Sequence, residues 1–141
     1  MSLSFKLSLV SLSQETANGL RAHFHLENVP VYVGDFRTIS GWNCLVSPAN
    51  SFGLMDGGMD LTIAKYFPRV EQAVQFEIKN RYYGEQPVGT SFLVETENSN
   101  HPWLAHTPTM RVPMRITRTD NVYSAMRAWM IAVELFNLEA P

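Results

Sequence analysis

Residues 45–60, with the sequence LVSPANSFGLMDGGMD, decide the fold class of this chain. They begin in an apolar strand that starts near Cys44, pass through a small, polar, glycine-bearing loop, and enter a helical pattern near Met59. Such a loop leaves the first backbone N–H groups of the helix without acceptors, and those groups suit a phosphate or another anion. Asn50 stands at the carboxyl end of the strand, where open α/β sheets bind ligands. The segment therefore predicts a phosphorylated small molecule as the ligand.

Composition indicates a globular protein, since the 141 residues are 45% hydrophobic and 17% charged. This length suits a single domain, residues 1–141. Eleven basic residues against thirteen acidic ones, with no cluster of Lys or Arg, argue against a nucleic-acid surface. Cys44 is the single cysteine and has no internal disulfide partner, which favours a reducing, cytoplasmic location.

Targeting, membrane and metal signals are missing from the sequence. The first residues, MSLSFKLSLV, lack the basic start and cleavage site of a signal peptide, and no apolar run is long enough to cross a bilayer. The four histidines show no metal-ligand spacing, so we expect neither a metal nor a cofactor.

Strands and helices alternate along the chain. Residues 5–12 and 29–36 read as strands around a helix at residues 14–25, an order that predicts a parallel crossover. A third strand covers residues 43–47 and should end at Pro48, which has no N–H for a central ladder. We expect helices at residues 59–66 and 68–83, strands at 90–96 and 103–106, an ordered loop at 107–117, and a last helix capped by Thr119 or Asp120.

Four segments together resemble the macro domain, the α/β module that binds ADP-ribose. They are Gly34–Asp35 at a strand end, the turn SPAN at residues 47–50, the loop DGGMD at residues 56–60, and HTPTMR at residues 106–111. The resemblance implies a three-layer α/β/α fold with a mixed, mostly parallel sheet. It also implies a small-molecule ligand, ADP-ribose or a related nucleotide diphosphate.

The resemblance implies roles for individual residues. Asp35 would accept a hydrogen bond from the adenine amino group, and Asn50 would bind the distal ribose. The backbone N–H groups of the loop would hold the diphosphate. In an enzymatic member, Asn50 would position the ribose and Asp60 would handle the attacking water. The residues that would contact the ligand are Asp35, Asn50, Asp56, Gly57, Gly58, Met59 and Arg111, and the catalytic pair would be Asn50 and Asp60.

Three departures from the family pattern bear on function. Ser47 stands where many members have an Asn, and Ala64 stands where hydrolytic members often have a His, which argues against an enzyme. The chain also ends before the strand, second glycine-rich loop and helix that normally follow the last helix found here. We therefore expect a fold that lacks this strand-loop-helix segment, with exposed sheet edges that favour a homo-oligomer.

Alternatives stay open for the function and for most of the site residues. The chain could be an ADP-ribosyl hydrolase or an ADP-ribose 1″-phosphate phosphatase, or a degenerate fold that acts through assembly. Asp35 could simply end a strand, and Asn50 could be a turn residue that bonds its own backbone. Asp60 could be an acid stabilised by a helix dipole, and Arg111 could form a surface ion pair.

Overall fold

The computed structural model describes residues 3–24 and 28–140. The chain forms two compact units, Met1–Trp42 and Asn43–Pro141, and each is described by itself. That residues 1–141 make a single domain stays a prediction.

The first unit contains a parallel strand pair around one helix. Its elements are β1 (Leu9–Ser11), α1 (Gln14–His23), β2 (Val31–Val33) and a short 3-10 helix (Phe36–Thr38). The hydroxyl of Ser13 accepts the N–H of Thr16 and caps α1. The parallel pairing predicted from the sequence is confirmed, although both strands are only three residues long. The predicted last residue of the helix, His25, lies outside the described residues.

The second unit is an α/β fold around a mixed three-stranded sheet. Its elements are β3 (Cys44–Asn50), α2 (Gly58–Tyr66), α3 (Val70–Tyr82), β4 (Phe92–Glu95), β5 (Trp103–Met110) and α4 (Asn121–Glu139). The strand order is β3-β5-β4, with β3 parallel and β4 antiparallel to β5. The predicted order and type of these elements are confirmed.

Two strands run through prolines and extend beyond the ends that were predicted from the sequence. β3 continues through Pro48 to Asn50, and β5 continues through Pro108 to Met110, so residues 107–110 are strand rather than loop. Pro48 is tolerated because β3 is an edge strand of its sheet. Pro108 is tolerated because β4 pairs with β5 only as far as His106. The predictions of a strand end at Pro48 and a loop from Thr107 were wrong for this reason.

Helices cover both faces of this sheet and give it three layers. Phe92 stacks on Tyr82 of α3, and its ladder partner His106 points to the same face. Trp103 points to the opposite face, where its ring packs edge-on against Phe136 of α4. The core between the sheet and the helix pair α2–α3 consists of apolar side chains that include Ile63, Val70, Val74, Ile78 and Leu104.

Candidate functional site

The loop between β3 and α2 lies at the carboxyl ends of the two parallel strands. β3 ends at Asn50 and α2 begins at Gly58. The ladder is irregular here, since Ala49 pairs with Pro108 but Asn50 pairs with Met110. Such a bulge bends the strand end and is common beside binding sites.

Asn50 uses its side chain to close the start of this loop. Its Nδ2 donates to the carbonyl of Leu54 at 2.8 Å, and its Oδ1 accepts from the N–H groups of Phe52 at 3.1 Å and Leu54 at 3.3 Å. The residue is 7% exposed. These are the bonds expected of a turn residue that bonds its own backbone, one of the interpretations of Asn50 from the sequence. The second hydrogen of Nδ2 is left to donate to a ligand.

The second half of the loop presents free backbone N–H groups at an open surface. Gly58 has φ +57°, a conformation that favours glycine, and a Cβ built on Gly57 or Gly58 would have no atom within 4 Å. Within the described residues, no acceptor meets the N–H groups of Gly58, Met59 or Asp60, the first three of α2. Residues 56–59 are exposed. The arrangement can receive an anion through N–H donors and the positive end of the helix dipole.

Asp60 is a buried acid in the first turn of α2, directly after the loop. The residue is 8% exposed, and its Oδ1 has no hydrogen-bond partner within the described part of the chain. Burial first, and then the nearby charges of Glu71 and Asp56, together raise the pKa of Asp60 from 3.8 to about 7. Asp60 therefore exchanges its proton near neutrality, the range in which a carboxyl group can act as acid or base.

Helix α3 holds the middle of the loop, a contact that was not predicted from the sequence. The N–H of Met55 donates to Oε2 of Glu71 at 2.9 Å, and Nε2 of Gln75 donates to the carbonyl of Gly53 at 3.2 Å. Gly53 has φ +65°, and a Cβ there would lie 2.8 Å from Cδ1 of Ile78. The spacing of Glu71, Gln75 and Ile78 places them on one helix face. That this face contacts the loop could not be predicted from the sequence.

Arg111 lies at the end of β5, next to the start of the loop. Its carbonyl accepts the N–H of Ser51, and its guanidinium lies 5.2 Å from the centre of the Phe52 ring. Its Nε donates to Oε1 of Glu85, and the side chain is 63% exposed. Arg111 therefore forms a surface ion pair, which is one of the two roles that the sequence suggested for it.

Asp35 lies in the first unit, where it caps the short 3-10 helix. Its carboxylate accepts the N–H of Arg37 at 2.9 Å and forms an ion pair with the guanidinium of the same residue. These hydrogen bonds with Arg37 lower the pKa of Asp35 from 3.8 to about 2. The role of Asp35 as the adenine acceptor stays a prediction.

A buried polar pair stands behind the loop. Nδ1 of His106 lies 2.6 Å from Oε1 of Gln86, whose N–H donates to the carbonyl of Ser51 and whose Nε2 donates to the carbonyl of His106. Because Oε1 of Gln86 can only accept, Nδ1 of His106 carries the proton, and the lone pair on Nε2 of His106 meets no donor among the described residues. Burial lowers the pKa of His106 from 6.5 to about 3. Ser47 pairs with His106 in the ladder, and its buried Oγ likewise bonds to none of the residues that the structure describes.

The described ranges contain neither a cluster of metal ligands nor a reactive cysteine. No three His, Cys, Asp or Glu side chains among residues 3–24 and 28–140 are arranged to hold a metal ion. Burial raises the pKa of the Cys44 thiol from 9.0 to about 11, which makes it a poor nucleophile. In the same ranges no helix is long and apolar enough to cross a membrane.

Comparison with known proteins identifies a family model and several solved structures. The model of the macro domain matches residues 46–139. The macrodomain of Mycobacterium tuberculosis DarG is 21% identical over 74% of this chain and 66% of that chain, with a TM-score of 0.59. The macrodomain of Thermus aquaticus DarG is 18% identical over 74% of this chain and 67% of that chain, with a TM-score of 0.62.

A third similar structure contains a ligand. Thermosipho africanus DarTG in complex with ADP-ribose is 19% identical over 89% of this chain and 40% of that chain, with a TM-score of 0.53. At these identities the likeness concerns the fold, and this chain spans about two thirds or less of the length of each match. No curated protein matches the chain.

Proposed function

Because this chain belongs to the macro domain family, we propose that it binds ADP-ribose or a related nucleotide diphosphate through the loop between β3 and α2. The observation that carries the proposal is the set of acceptor-free N–H groups of Gly58, Met59 and Asp60 beside an open surface. A similar structure, Thermosipho africanus DarTG, was solved in complex with ADP-ribose. Backbone N–H groups directed at a charged diphosphate form charge-assisted hydrogen bonds worth about 1.5–3 kcal/mol each.

The proposed contacts extend from the loop in the manner the family suggests. Asp56, Gly57, Gly58 and Met59 would surround the diphosphate, and Asn50 would use its remaining Nδ2 hydrogen on the distal ribose. Arg111 reaches a phosphate only if it leaves Glu85. No metal is needed for these contacts.

Calorimetric titration of the full chain with ADP-ribose tests the proposal, with Gly58→Glu and Gly58→Asn as a matched pair. Both substitutions place a side chain on the same left-handed backbone, which Asn tolerates better than most residues. Glu also brings a negative charge to the phosphate position. We expect Gly58→Glu to abolish binding and Gly58→Asn to retain measurable affinity. Wild-type affinity in Gly58→Glu would overturn the proposed site.

A hydrolase is the second candidate, and Asp60 is the observation that favours it. A buried carboxyl group with a pKa of about 7 and an unpartnered oxygen can orient a water and take its proton at neutral pH. Ala64 offers no imidazole to assist. Incubation of mono-ADP-ribosylated protein and of ADP-ribose 1″-phosphate with excess protein should release product that Asp60→Asn does not release. If both substrates stay intact, the hydrolase is rejected.

Assembly is the third candidate and concerns the edge of the second unit. Within the described residues, β3 has no hydrogen-bonded strand on the side away from β5. A free strand edge can pair with a second copy of the chain. Light scattering should then report a dimer, and a monomer at all concentrations would reject this idea.

A further inference from the structure

Helix α3 touches the loop through one of its faces. Glu71 accepts the N–H of Met55, Gln75 donates to the carbonyl of Gly53, and the side chains of Val74 and Ile78 leave no room for a Cβ at Gly53. These four helix positions are spaced i, i+3, i+4 and i+7, so they share one stripe. The stripe fixes the backbone just before the acceptor-free N–H groups of α2.

Glu71 is an unexpected choice for this contact. A glutamine would accept the Met55 N–H equally well and would carry no charge. The carboxylate instead adds a like charge near Asp60, whose ionised form is already disfavoured by burial and by the charge of Asp56. Among the described residues, the charged groups that act on Asp60 are Glu71 from α3 and Asp56 from the loop, and no cation offsets them.

We propose that Glu71 is a positioning residue of the nucleotide site: its carboxylate holds the Met55 amide in place, just before the acceptor-free N–H groups of α2. Its charge also disfavours the ionised form of Asp60, which is the form that would repel an anionic ligand. The inference rests on the proposed binding of ADP-ribose. A diphosphate bound at the loop brings negative charge close to Asp60. Binding should therefore favour the neutral acid and take up a proton near neutral pH.

The two roles of Glu71 are separable by substitution. Glu71→Gln keeps an acceptor for the Met55 N–H and removes the charge, so only the protonation effect is lost. Glu71→Ala removes both. Glu77→Gln removes a charge of the same sign from the same helix, where Glu77 pairs with Arg81 rather than with the loop, and serves as the control.

The test is calorimetric titration with ADP-ribose at several pH values from 5.5 to 8.5, using the full chain. We expect wild-type affinity to fall above about pH 7, by up to about tenfold per pH unit if the ionised acid excludes the ligand. In Glu71→Gln the fall should begin at least about half a pH unit lower, and in Glu77→Gln it should not move. At pH 5.5 we expect Glu71→Gln to match the wild type and Glu71→Ala to bind at least about fivefold more weakly.

A second measurement follows the loop without ligand. Hydrogen exchange at the Met55 amide should be faster in Glu71→Ala than in Glu71→Gln. Equal affinities of Glu71→Ala and Glu71→Gln at pH 5.5, or an unmoved pH profile in Glu71→Gln, would overturn the inference while wild-type binding upholds the proposed function. Absence of wild-type binding at every pH would overturn both.

Discussion

Replacement of Asp60 by asparagine should make the folded chain more stable at neutral and alkaline pH. The side chain is buried, its Oδ1 has no partner in the described part of the chain, and its pKa is raised from 3.8 to about 7. Because the folded-state pKa is raised, the favourable contribution is complete below about pH 4 and is lost as the pH rises through about 7. A difference of about three pKa units at 1.36 kcal/mol each corresponds to about 4 kcal/mol. Asparagine has no charge to bury and avoids this loss.

Urea unfolding of the wild type and of Asp60→Asn between pH 4 and pH 8.5 measures the effect. The difference in unfolding free energy between the two proteins should grow in favour of the variant by about 4 kcal/mol across this range. Glu77→Gln, which breaks an exposed pair, should change stability by less than about 1 kcal/mol at each pH. A difference between Asp60→Asn and the wild type that stays constant with pH would refute the reasoning, since it would mean that Asp60 ionises without cost.

Three further predictions concern the packing around the loop. Gly53→Ala should lower the free energy of unfolding in urea by about 2 kcal/mol, because the added Cβ meets Ile78 and φ at this position is positive. Gly19→Ala, in open space on α1, should raise it by about 0.5–1 kcal/mol. Equal effects of the two substitutions would contradict this reasoning. Because its pKa is lowered to about 3, His106 should stay neutral in an NMR titration down to about pH 4. Its contribution to the free energy of unfolding should be complete above pH 6.5 and should decline by about 1.4 kcal/mol per pH unit below that value. Protonation of His106 near pH 6 would contradict the burial argument. Ser47→Ala should leave the stability of the fold unchanged or raise it by up to about 1 kcal/mol, because the hydroxyl that is removed has no partner among the described residues. A clear loss of stability would contradict this prediction.

The sequence predicted those features that depend on neighbouring residues. The change from a short apolar run to a small, polar loop and then to a helical pattern at residues 44–60 located β3, the loop and α2, and the glycines marked the open backbone. Asp60 was identified as an acid in the first turn of a helix, which is where it lies. Its raised pKa could not be predicted, because it depends on the burial of the side chain and on the charges that α3 and the loop bring close to it.

The features that the sequence did not predict depend on contacts between distant segments. Pro48 was judged as if β3 were a central strand, but the strand order places β3 at an edge. Glu71 is sixteen residues from the amide it holds, and Gln86 is twenty residues from His106. Residue type and spacing do not specify such partners. They follow from how the helices pack on the sheet.

The buried Gln86 has a consequence for how the strands find their alignment. Its backbone N–H meets the carbonyl of Ser51 just after β3, and its amide meets both the carbonyl and the imidazole of His106 in β5. A slip of β5 by two residues would keep every side chain on its proper face, but it would leave this amide in the interior without partners. Gln86 therefore specifies the register of β5. Hydrophobic alternation determines which face of the sheet each side chain takes, and the hydrogen bonds of one amide determine the alignment of the strand along its neighbour.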